Sequence, residues 1–479
     1  MLFEKTYGID LGSSSVKVYS FFRNKTYIEK NMIASKGHTI IAMGNEAYDM
    51  FEKSPTDITV TSPMTFGMIA NLELQEIVLY SMIRKIDHIL GFGATMYFTV
   101  PLDMTAVEKR AYFHVANGHW LKKNRVFMVE APIADAIAMG VNLEDPEGNM
   151  IVNIGAQSTE VSIITGGKII ISRKIPLGGR QMNESVCSEI RKRYNLQIGT
   201  RTAKRLKMVM GRLSDPKKEV RKVVGIDCIS GLPREEIISS YVVNDGIMNC
   251  LNEIAAEMKT FLERIPPQIS YHIAKQGIYI TGGSTRLPYI DKYLASYTGF
   301  TFNLSDFYET SAVTGLEKII RRHQASKNYD AVRSQIQTYL ENGQYSELFE
   351  YGEYYHLTDT EKGDFQAYYP VFWCANSYGY VEQAVQMLTD YGDYKEDSAL
   401  YLSEKLADFY QRTYLDQYKK YEGAISDQNR ESLQQMRDRV SDLLVEKLPL
   451  TREDVEPFPE MTSAQINQII IGRLLQNED

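Results

Sequence analysis

The sequence predicts an α/β domain built from two similar halves and followed by an all-α module, and three observations carry this prediction. Two strand–turn–strand units, about 140 residues apart, show the same order of apolar and small residues. Strand-type and helix-type segments alternate over the first two thirds of the chain, as in α/β proteins. Residues 325–479 read as helical and contain 14 Lys+Arg against 28 Asp+Glu. The predicted domains are therefore residues 1–324 and residues 325–479.

The composition of the chain limits the classes of protein to which it can belong. The chain has 479 residues, of which 44% are hydrophobic and 24% charged, as in globular proteins. No basic segment followed by an apolar run opens the chain, and no stretch approaches the roughly 20 apolar residues of a membrane span. A net charge of −8 argues against a nucleic-acid binder. The cysteines are scattered, which indicates reduced thiols in a cytoplasmic protein: Cys187, Cys228, Cys250 and Cys374.

The first strand–turn–strand unit is YGIDLGSSSVKVYS, residues 7–20. Its turn consists of small residues whose N–H groups and hydroxyls can surround phosphate oxygens, although such turns are often only turns. Asp10, at the end of the first strand, could hold a metal-bound water nearby. The turn residues are Gly12, Ser13, Ser14 and Ser15.

The elements between the two units alternate in type. Residues 72–90 have apolar positions at helical spacing, and residues 95–100 read as a buried strand. Thr105 and Glu108 have the spacing of a capping box, which predicts a helix start. Residues 126–129 read as a strand that leads into a helix of small residues.

The second unit is NMIVNIGAQSTEVSIIT, residues 149–165, with Asn153 in the position of Asp10. A third small turn, in IYITGGSTRL, joins an apolar strand to a helix at Thr281, Gly282, Gly283 and Ser284. Two glycines at a strand–helix junction let a flat ligand or a phosphate approach the backbone, or they form only a tight turn.

These stretches together resemble the actin, sugar-kinase and heat-shock ATPase superfamily, most closely the MreB-type bacterial actins, over about residues 5–321. GIDLGSSS is similar to the first phosphate loop, IVNIGAQSTEVSIIT to the second, and ITGGSTRLPYIDKYL to the adenosine motif. The resemblance implies a two-lobed actin-like fold of duplicated ribonuclease H-like domains. It also implies ATP and Mg²⁺ between the lobes, and filaments along the inner membrane face. Its nucleotide-binding positions fall on Gly12, Ser13, Ser14, Ser15, Gly155, Ala156, Gln157, Ser158, Lys204, Arg205, Lys207, Gly282, Gly283, Ser284, Thr285 and Arg286.

The chain departs from the family pattern in the second phosphate loop. Asn153 stands where the family has aspartate, so water-mediated Mg²⁺ binding by Asp10 and residue 153 should weaken. Ala156 and Gln157 add side chains where the family has glycines, which allow close backbone approach to phosphate.

Further departures affect catalysis and the ribose-binding helix. The family's catalytic glutamate precedes a proline directly; that position is Ala131, and the remaining candidate, Glu130, lies one residue earlier. In an extended segment, such a shift turns the side chain to the opposite face, so hydrolysis should be slow or lost. Lys204 and Arg205 replace acidic residues and either add positive charge near the sugar or solvate a helix face.

The acidic tail is predicted to begin after a helix ending at Arg321-Arg322-His323 and a linker of residues 324–328. Three interpretations stay open: a bundle that caps or extends the core, a partner-binding module, and disorder, which aromatic residues such as Phe365 oppose. A similarity at a 49-residue offset suggests stacked helix pairs.

The resemblance favours a filament-forming cytoskeletal scaffold in cell-shape control. The alternatives are an active ATPase or kinase of the superfamily, and an actin relative in plasmid partitioning or pilus or division assembly. Weak attachment to the inner membrane would use exposed apolar residues of a cytoplasmic protein. The candidates are Leu2, Phe3, Leu90 and Phe92.

Overall fold

The computed structural model describes residues 5–87, 93–102, 104–214, 218–359, 363–390 and 395–476. Contacts divide the chain into two compact units, Met1–Ile320 and Arg321–Asp479. No helix of the described ranges is both long and apolar enough to cross a membrane. The membrane-contact candidates Leu2, Phe3, Leu90 and Phe92 lie outside the described residues.

The first unit contains two five-stranded sheets with the same connectivity. In each, two antiparallel pairings are followed by two parallel pairings, so the predicted pair of similar halves is confirmed. The first sheet has the order β3 (Lys25–Lys30), β2 (Ser15–Ser20), β1 (Thr6–Leu11), β9 (Thr95–Val100), β10 (Arg125–Glu130). The second has the order β13 (Lys168–Ile175), β12 (Thr159–Thr165), β11 (Asn149–Ile154), β17 (Ile278–Thr281), β18 (Phe302–Leu304).

Shorter sheets extend each half. In the first half these are β4 (Ile33–Lys36), β5 (Thr39–Met43) and β6 (Ile58–Thr61), and the hairpin of β7 (Met64–Thr65) and β8 (Met68–Ile69). In the second half they are β14 (Leu196–Gln197), β15 (Val220–Asp227) and β16 (Pro233–Ser239).

The helices of the first unit follow the predicted alternation with strands. The capping box at Thr105 is present, whereas the helix predicted for residues 72–90 ends at Ile86. The helices are α1 (Asn45–Met50), α2 (Leu72–Ile86), α3 (Ala106–Asn117), α4 (Ala131–Ala138), α5 (Gly179–Tyr194), α6 (Thr200–Met210), α7 (Ser240–Leu262), α8 (Pro267–Gln276), α9 (Ile290–Thr298) and α10 (Ser311–Lys327), with 3₁₀ turns at Gly283–Arg286 and Tyr308–Thr310.

Each half has its own apolar core, because the central strands are covered on both faces. Tyr7 and Ile9 of β1 pack in a cluster with Leu79 of α2. In the second half, Val152 of β11 packs with Val186 of α5. The loops at the carboxyl ends of β1 and β11 therefore follow strands that are packed in the two cores.

The described part of the second unit is helical, as predicted. Phe365 and Phe372 are buried in its core, so the disordered alternative is wrong. The helices are α11 (Tyr329–Glu341), α12 (Tyr345–Tyr354), α13 (Tyr369–Asp390), α14 (Lys395–Ala407), a π-helix (Asp408–Leu415), α15 (Asp416–Tyr421), α16 (Asp427–Lys447), α17 (Arg452–Val455) and α18 (Ser463–Gln476), with 3₁₀ turns at Gln366–Tyr368 and Phe458–Glu460.

The predicted helix end at Arg321-Arg322-His323 and the linker at 324–328 are wrong. Helix α10 continues to Lys327. Ala325 is fully buried and packs in the tail core with Val332 and Ile336. Because the segment carries a core residue, it stays helical where a polar composition predicted a linker.

Candidate functional site

The two predicted phosphate turns have the same geometry. The Gly12 N–H donates to the Ser15 carbonyl at 3.1 Å, and the Gly155 N–H donates to the Ser158 carbonyl at 2.9 Å. A Cβ added at Gly12 or Gly155 would lie 2.8 or 3.0 Å from the same carbonyl oxygen. Both turns therefore require glycine at their first position.

Other backbone contacts hold these turns in place. Asn31 donates from its side chain to the Gly12 carbonyl at 3.1 Å and from its backbone to the Ser14 carbonyl at 3.2 Å. In the second turn, the Arg180 N–H donates to the Ala156 carbonyl at 2.7 Å. The start of helix α5 is thus bonded directly to the second turn.

The polar pairs just before the turns occupy equivalent positions in the two halves. Asp10 faces Lys17 across β1 and β2, and Asn153 faces Glu160 across β11 and β12. Lys17 Nζ lies 2.7 Å from Asp10 Oδ2, and the Thr99 hydroxyl donates to Asp10 Oδ1 at 2.9 Å. Both carboxylate oxygens of Asp10 are therefore engaged by protein groups.

Asn153 is bonded to a carboxyl group that the sequence analysis did not single out. Asn153 Nδ2 donates to Oδ2 of Asp135 at 2.7 Å. Asp135 lies in α4 and is completely buried; burial raises its pKa to about 7, against the lowering effect of the Asn153 hydrogen bond. The sequence did contain a signal for this residue, because Asp135 is the one charged residue among the small and apolar residues of IADAIAMG.

The carboxyl groups of Asp10, Asp135 and Glu160 influence one another electrostatically. Burial raises the pKa of Glu160, Lys174 lowers it, and the charge of Asp10 raises it further. The charges of Asp10 and Glu160 also raise the pKa of Asp135. Carboxyl oxygens are the ligands that Mg²⁺ prefers, but these three groups do not form a ligand cluster among the described residues, and Lys17 and Thr99 already engage both oxygens of Asp10.

The β7–β8 hairpin bonds to both turns through consecutive N–H groups. The Gly67 N–H donates to Ser13 Oγ at 3.0 Å, and the Phe66 N–H donates to Gln157 Oε1 at 2.7 Å. From the sequence, Gln157 is expected to obstruct the approach of phosphate to the backbone. The structure shows that its side chain reaches the other half of the unit and is buried there.

The third turn packs directly on the second. Gly282 has φ of 102°, and a Cβ there would lie 2.4 Å from the Ile154 carbonyl oxygen. Ser284 Oγ donates to the Gly155 carbonyl at 3.0 Å, and Thr285 Oγ1 donates to the Gly282 carbonyl at 2.7 Å. The residues predicted for phosphate and for adenosine contact are thus brought together. Gly283 begins the 3₁₀ turn, and Arg286 is bonded to Glu309 at 2.6 Å.

The three basic residues predicted in the ribose-binding helix have different environments. Lys207 is buried and donates to the Gly179 carbonyl at 2.7 Å; burial, with help from Lys204, lowers its pKa to about 8. Lys204 lies over the Tyr48 ring at 5.3 Å, and burial lowers its pKa. Arg205 is on the exposed face of α6, as the solvated-face interpretation predicts.

A carboxylate from the first half caps helix α6. Its own N-cap residue, Gly199, has no side chain to offer. Glu52 accepts hydrogen bonds from the N–H groups of Thr200 at 2.9 Å and Arg201 at 3.0 Å, and Arg201 pairs with Asp49 at 2.9 Å. A carboxylate at a helix N-terminus is favoured by the orphan N–H groups and the helix dipole. Glu52, which the sequence analysis missed, therefore joins the two halves.

The catalytic candidate Glu130 lies at the end of β10, where it is the N-cap residue of α4. Its side chain is exposed. Ala131, to which the resemblance assigns the position of a catalytic glutamate, is the first residue of the helix. Residue 131 thus brings no carboxylate to the site.

The family model described as MreB/Mbl protein matches residues 4–328 of the chain. The chain is 31% identical over 299 residues to the cell shape-determining protein Mbl of Bacillus subtilis (strain 168), which covers 61% of this chain and 89% of that protein. It is 28% identical over 308 residues to the cell shape-determining protein MreB of Escherichia coli (strain K12), with coverage of 62% and 88%.

Solved structures with the same fold include MreB5 of Spiroplasma citri bound to ADP. That chain is 28% identical, with a TM-score of 0.63, and the match covers 68% of this chain and 99% of MreB5. The AMPPNP-bound form of MreB5 has a TM-score of 0.64 at 27% identity, with coverage of 69% and 99%. The MamK double helical filament, at 18% identity and a TM-score of 0.56, shares the fold.

Proposed function

Because the chain belongs to the MreB/Mbl family, we propose that it is a nucleotide-binding bacterial actin homologue that forms filaments and acts as a cytoskeletal scaffold in cell-shape determination. The observation that carries the proposal is the convergence of three turns, in which Ser284 of the third bonds to Gly155 of the second. The β7–β8 hairpin bonds to both the first and second turns. The ADP- and AMPPNP-bound structures of MreB5 support a nucleotide as the ligand.

In this proposal, ATP lies between the two halves. The turns at Gly12 and Gly155 offer N–H groups to the phosphates, and the segment from Gly282 to Arg286 borders the adenosine, with Lys207 near the sugar. Asp10 and Asn153, at equivalent positions in the two halves, would hold Mg²⁺ through water. Such an ion would neutralise phosphate charge.

The nucleotide pocket can be tested with a matched pair of glycine variants. Gly282→Ala combines positive φ with a Cβ 2.4 Å from the Ile154 carbonyl oxygen, whereas Gly299→Ala has a similar φ and open space around its Cβ. We expect Gly282→Ala to weaken binding of a fluorescent ATP analogue at least tenfold relative to Gly299→Ala. Equal affinities, or no nucleotide binding by the parent protein, would contradict the proposal. Electron microscopy with ATP tests filament formation.

Hydrolysis is proposed to be slow. Asn153 lacks the charge of the family's aspartate, and Ala131 replaces the family's glutamate. Phosphoryl transfer depends mainly on positioning and charge neutralisation, so these changes should lower turnover by several orders of magnitude. A phosphate-release assay on filaments measures this. Turnover at the rate of an ordinary bacterial actin would favour the active ATPase alternative, and the Ala131→Glu, Asn153→Asp variant would then change little.

The tail is proposed to recruit a protein partner or to regulate filaments. The exposed aromatic side chains of Tyr354 and Tyr380 and the acidic composition of the tail support a binding surface. Because Ala325 belongs to the tail core, the fragment for a pull-down should begin at Arg321. An unfolded fragment by circular dichroism would show that the tail is not a separable module.

Weak peripheral membrane attachment is proposed from Leu2, Phe3, Leu90 and Phe92. A few apolar side chains contribute only a few kcal/mol, so many subunits would have to act together. Liposome flotation of the polymerised protein and its Phe92→Ser variant measures this. Equal flotation would argue against the role of Phe92.

A further inference from the structure

Three side chains of the kind that ligate metals meet at the start of β11. Asp145 and Glu147 lie in the turn that precedes this strand, and His272 lies in helix α8. One ligand atom from each residue lies within 4.8 Å of the other two. The six residues of β11 separate this cluster from the turn at Gly155 by about 20 Å, because a strand rises about 3.3 Å per residue. The cluster is therefore distinct from the nucleotide cleft.

His272 is about nine-tenths buried, and its two ring nitrogens have different environments. Nδ1 lies 2.6 Å from Oε2 of Glu147. Nε2 is inaccessible to solvent and makes no hydrogen bond with the groups that the structure describes, although Oδ2 of Asp145 is 3.3 Å away. A carboxylate this close to Nδ1 favours a proton on that nitrogen, which leaves the lone pair on Nε2. The buried lone pair of Nε2 is thus next to an anionic oxygen.

Asp145 is held in position by the backbone around it. Its Oδ1 accepts from the Glu147 N–H at 2.9 Å, and its carbonyl accepts from the Gly166 N–H at 3.3 Å. The Thr165 hydroxyl donates to the Pro146 carbonyl at 2.9 Å. These bonds fix the turn and leave Oδ2 on the side of His272. The two atoms that face each other are therefore pre-positioned by separate elements.

The separation of the two atoms matches that of neighbouring ligands on one ion. A tetrahedral Zn²⁺ site with bonds of about 2.0–2.1 Å places its ligand atoms about 3.3 Å apart. We propose that His272 Nε2 and Asp145 Oδ2 bind a divalent transition-metal cation of the Zn²⁺ class. Glu147 orients the imidazole through Nδ1, as carboxylates commonly do for metal-bound histidine.

The ligand chemistry selects the class of ion. Imidazole nitrogen suits Zn²⁺, Co²⁺ and similar ions, whereas Mg²⁺ and Ca²⁺ prefer oxygen ligands throughout. With two protein ligands, the remaining coordination positions hold water. The site is therefore weaker than a structural zinc site with four protein ligands, and it is open to an exogenous ligand.

The test is Zn²⁺ titration of the full chain by calorimetry, without nucleotide and with millimolar Mg²⁺ to occupy hard-cation sites. The Cys228→Ser background removes an exposed thiol that would compete for the ion. We expect one Zn²⁺ per chain, lost in His272→Gln and in Asp145→Asn. Glu147→Gln should weaken binding about 10- to 100-fold. Glu144→Gln, a change at an exposed carboxylate of the same turn, should bind as the parent does.

Crystals of the parent protein soaked in Zn²⁺ provide a readout that does not depend on variants folding. The expected anomalous peak lies about 2 Å from both His272 Nε2 and Asp145 Oδ2. No Zn²⁺ binding by the parent, a peak elsewhere, or full binding by folded His272→Gln overturns the proposal. His272 would then lie between two carboxylates without a bound metal.

Discussion

The side-chain oxygen of Gln157 accepts a hydrogen bond from the backbone N–H of Phe66 at 2.7 Å. This bond links the turn after β11 in the second half to the β7–β8 hairpin in the first half. The next N–H of the hairpin, that of Gly67, bonds to Ser13 in the first turn. The two turns are thus held against one hairpin. The spacing between the two turns therefore depends on the side chain of Gln157.

Gln157→Leu should accelerate nucleotide release. The variant keeps the side-chain bulk but removes the acceptor of the Phe66 N–H, and such a hydrogen bond contributes about 0.5–1.5 kcal/mol. We expect release of a fluorescent ADP analogue to be roughly two- to tenfold faster, as measured by stopped flow. Gln276→Leu makes the same change at an exposed position and serves as the control. Identical release rates for the two variants would show that the bond does not limit opening.

Asn153 and Asp135 should be exchangeable as a pair but not singly. At pH 8, above the pKa of about 7 that burial gives Asp135, Asn153→Asp places a second carboxylate about 2.7 Å from Asp135, where like charges are strongly unfavourable. We expect this variant to lose about 2–4 kcal/mol of unfolding free energy. The Asn153→Asp, Asp135→Asn double variant restores an amide–carboxyl pair and should recover most of that loss. Denaturant unfolding of the parent, the two single variants Asn153→Asp and Asp135→Asn, and the double variant gives the coupling energy. Additive losses would argue against a direct interaction of the two residues.

Asp135 should make stability fall as pH rises. Burial raises its folded-state pKa from 3.8 to about 7, so between these values the folded protein holds a proton that the unfolded chain has lost. The free energy of unfolding therefore decreases as pH rises through this window. From about pH 5 to pH 8, the parent should lose roughly 3 kcal/mol more than Asp135→Asn. Asp306→Asn, at an exposed carboxylate, should follow the parent in denaturant titrations. Parallel curves for the parent and Asp135→Asn would refute the assignment.

Glu52→Ala should open the contact between the two halves at helix α6. The change leaves the Thr200 and Arg201 N–H groups without their carboxylate cap, a loss of about 0.5–2 kcal/mol. We expect faster hydrogen exchange at the start of α6 and several-fold faster nucleotide exchange. Glu46→Ala removes an exposed carboxylate of α1 and is the matched control. Unchanged exchange in α6 would show that Glu52 does not hold the contact.

Local patterns in the sequence predicted the two hairpin units well. Alternating apolar residues around Gly12 and Gly155 depend on strand pleating and turn geometry, which neighbouring residues determine. The same local reasoning failed at residues 324–328. Their polar composition predicted a linker, but burial of Ala325 in the tail core extends the helix.

The sequence by itself determined the duplicated α/β halves, their small turns and the helical tail, because strand alternation, glycine turns and helix caps are properties of short segments. Only the tertiary structure decided which polar groups meet. Asn153 donates a hydrogen bond to Asp135 on another element, and Gln157 accepts one from Phe66 in the other half. His272 of α8 lies beside the turn that precedes β11. Such pairs depend on how distant elements pack. A buried polar group forms hydrogen bonds with the groups that this packing places within reach, and these groups cannot be identified from the neighbouring sequence.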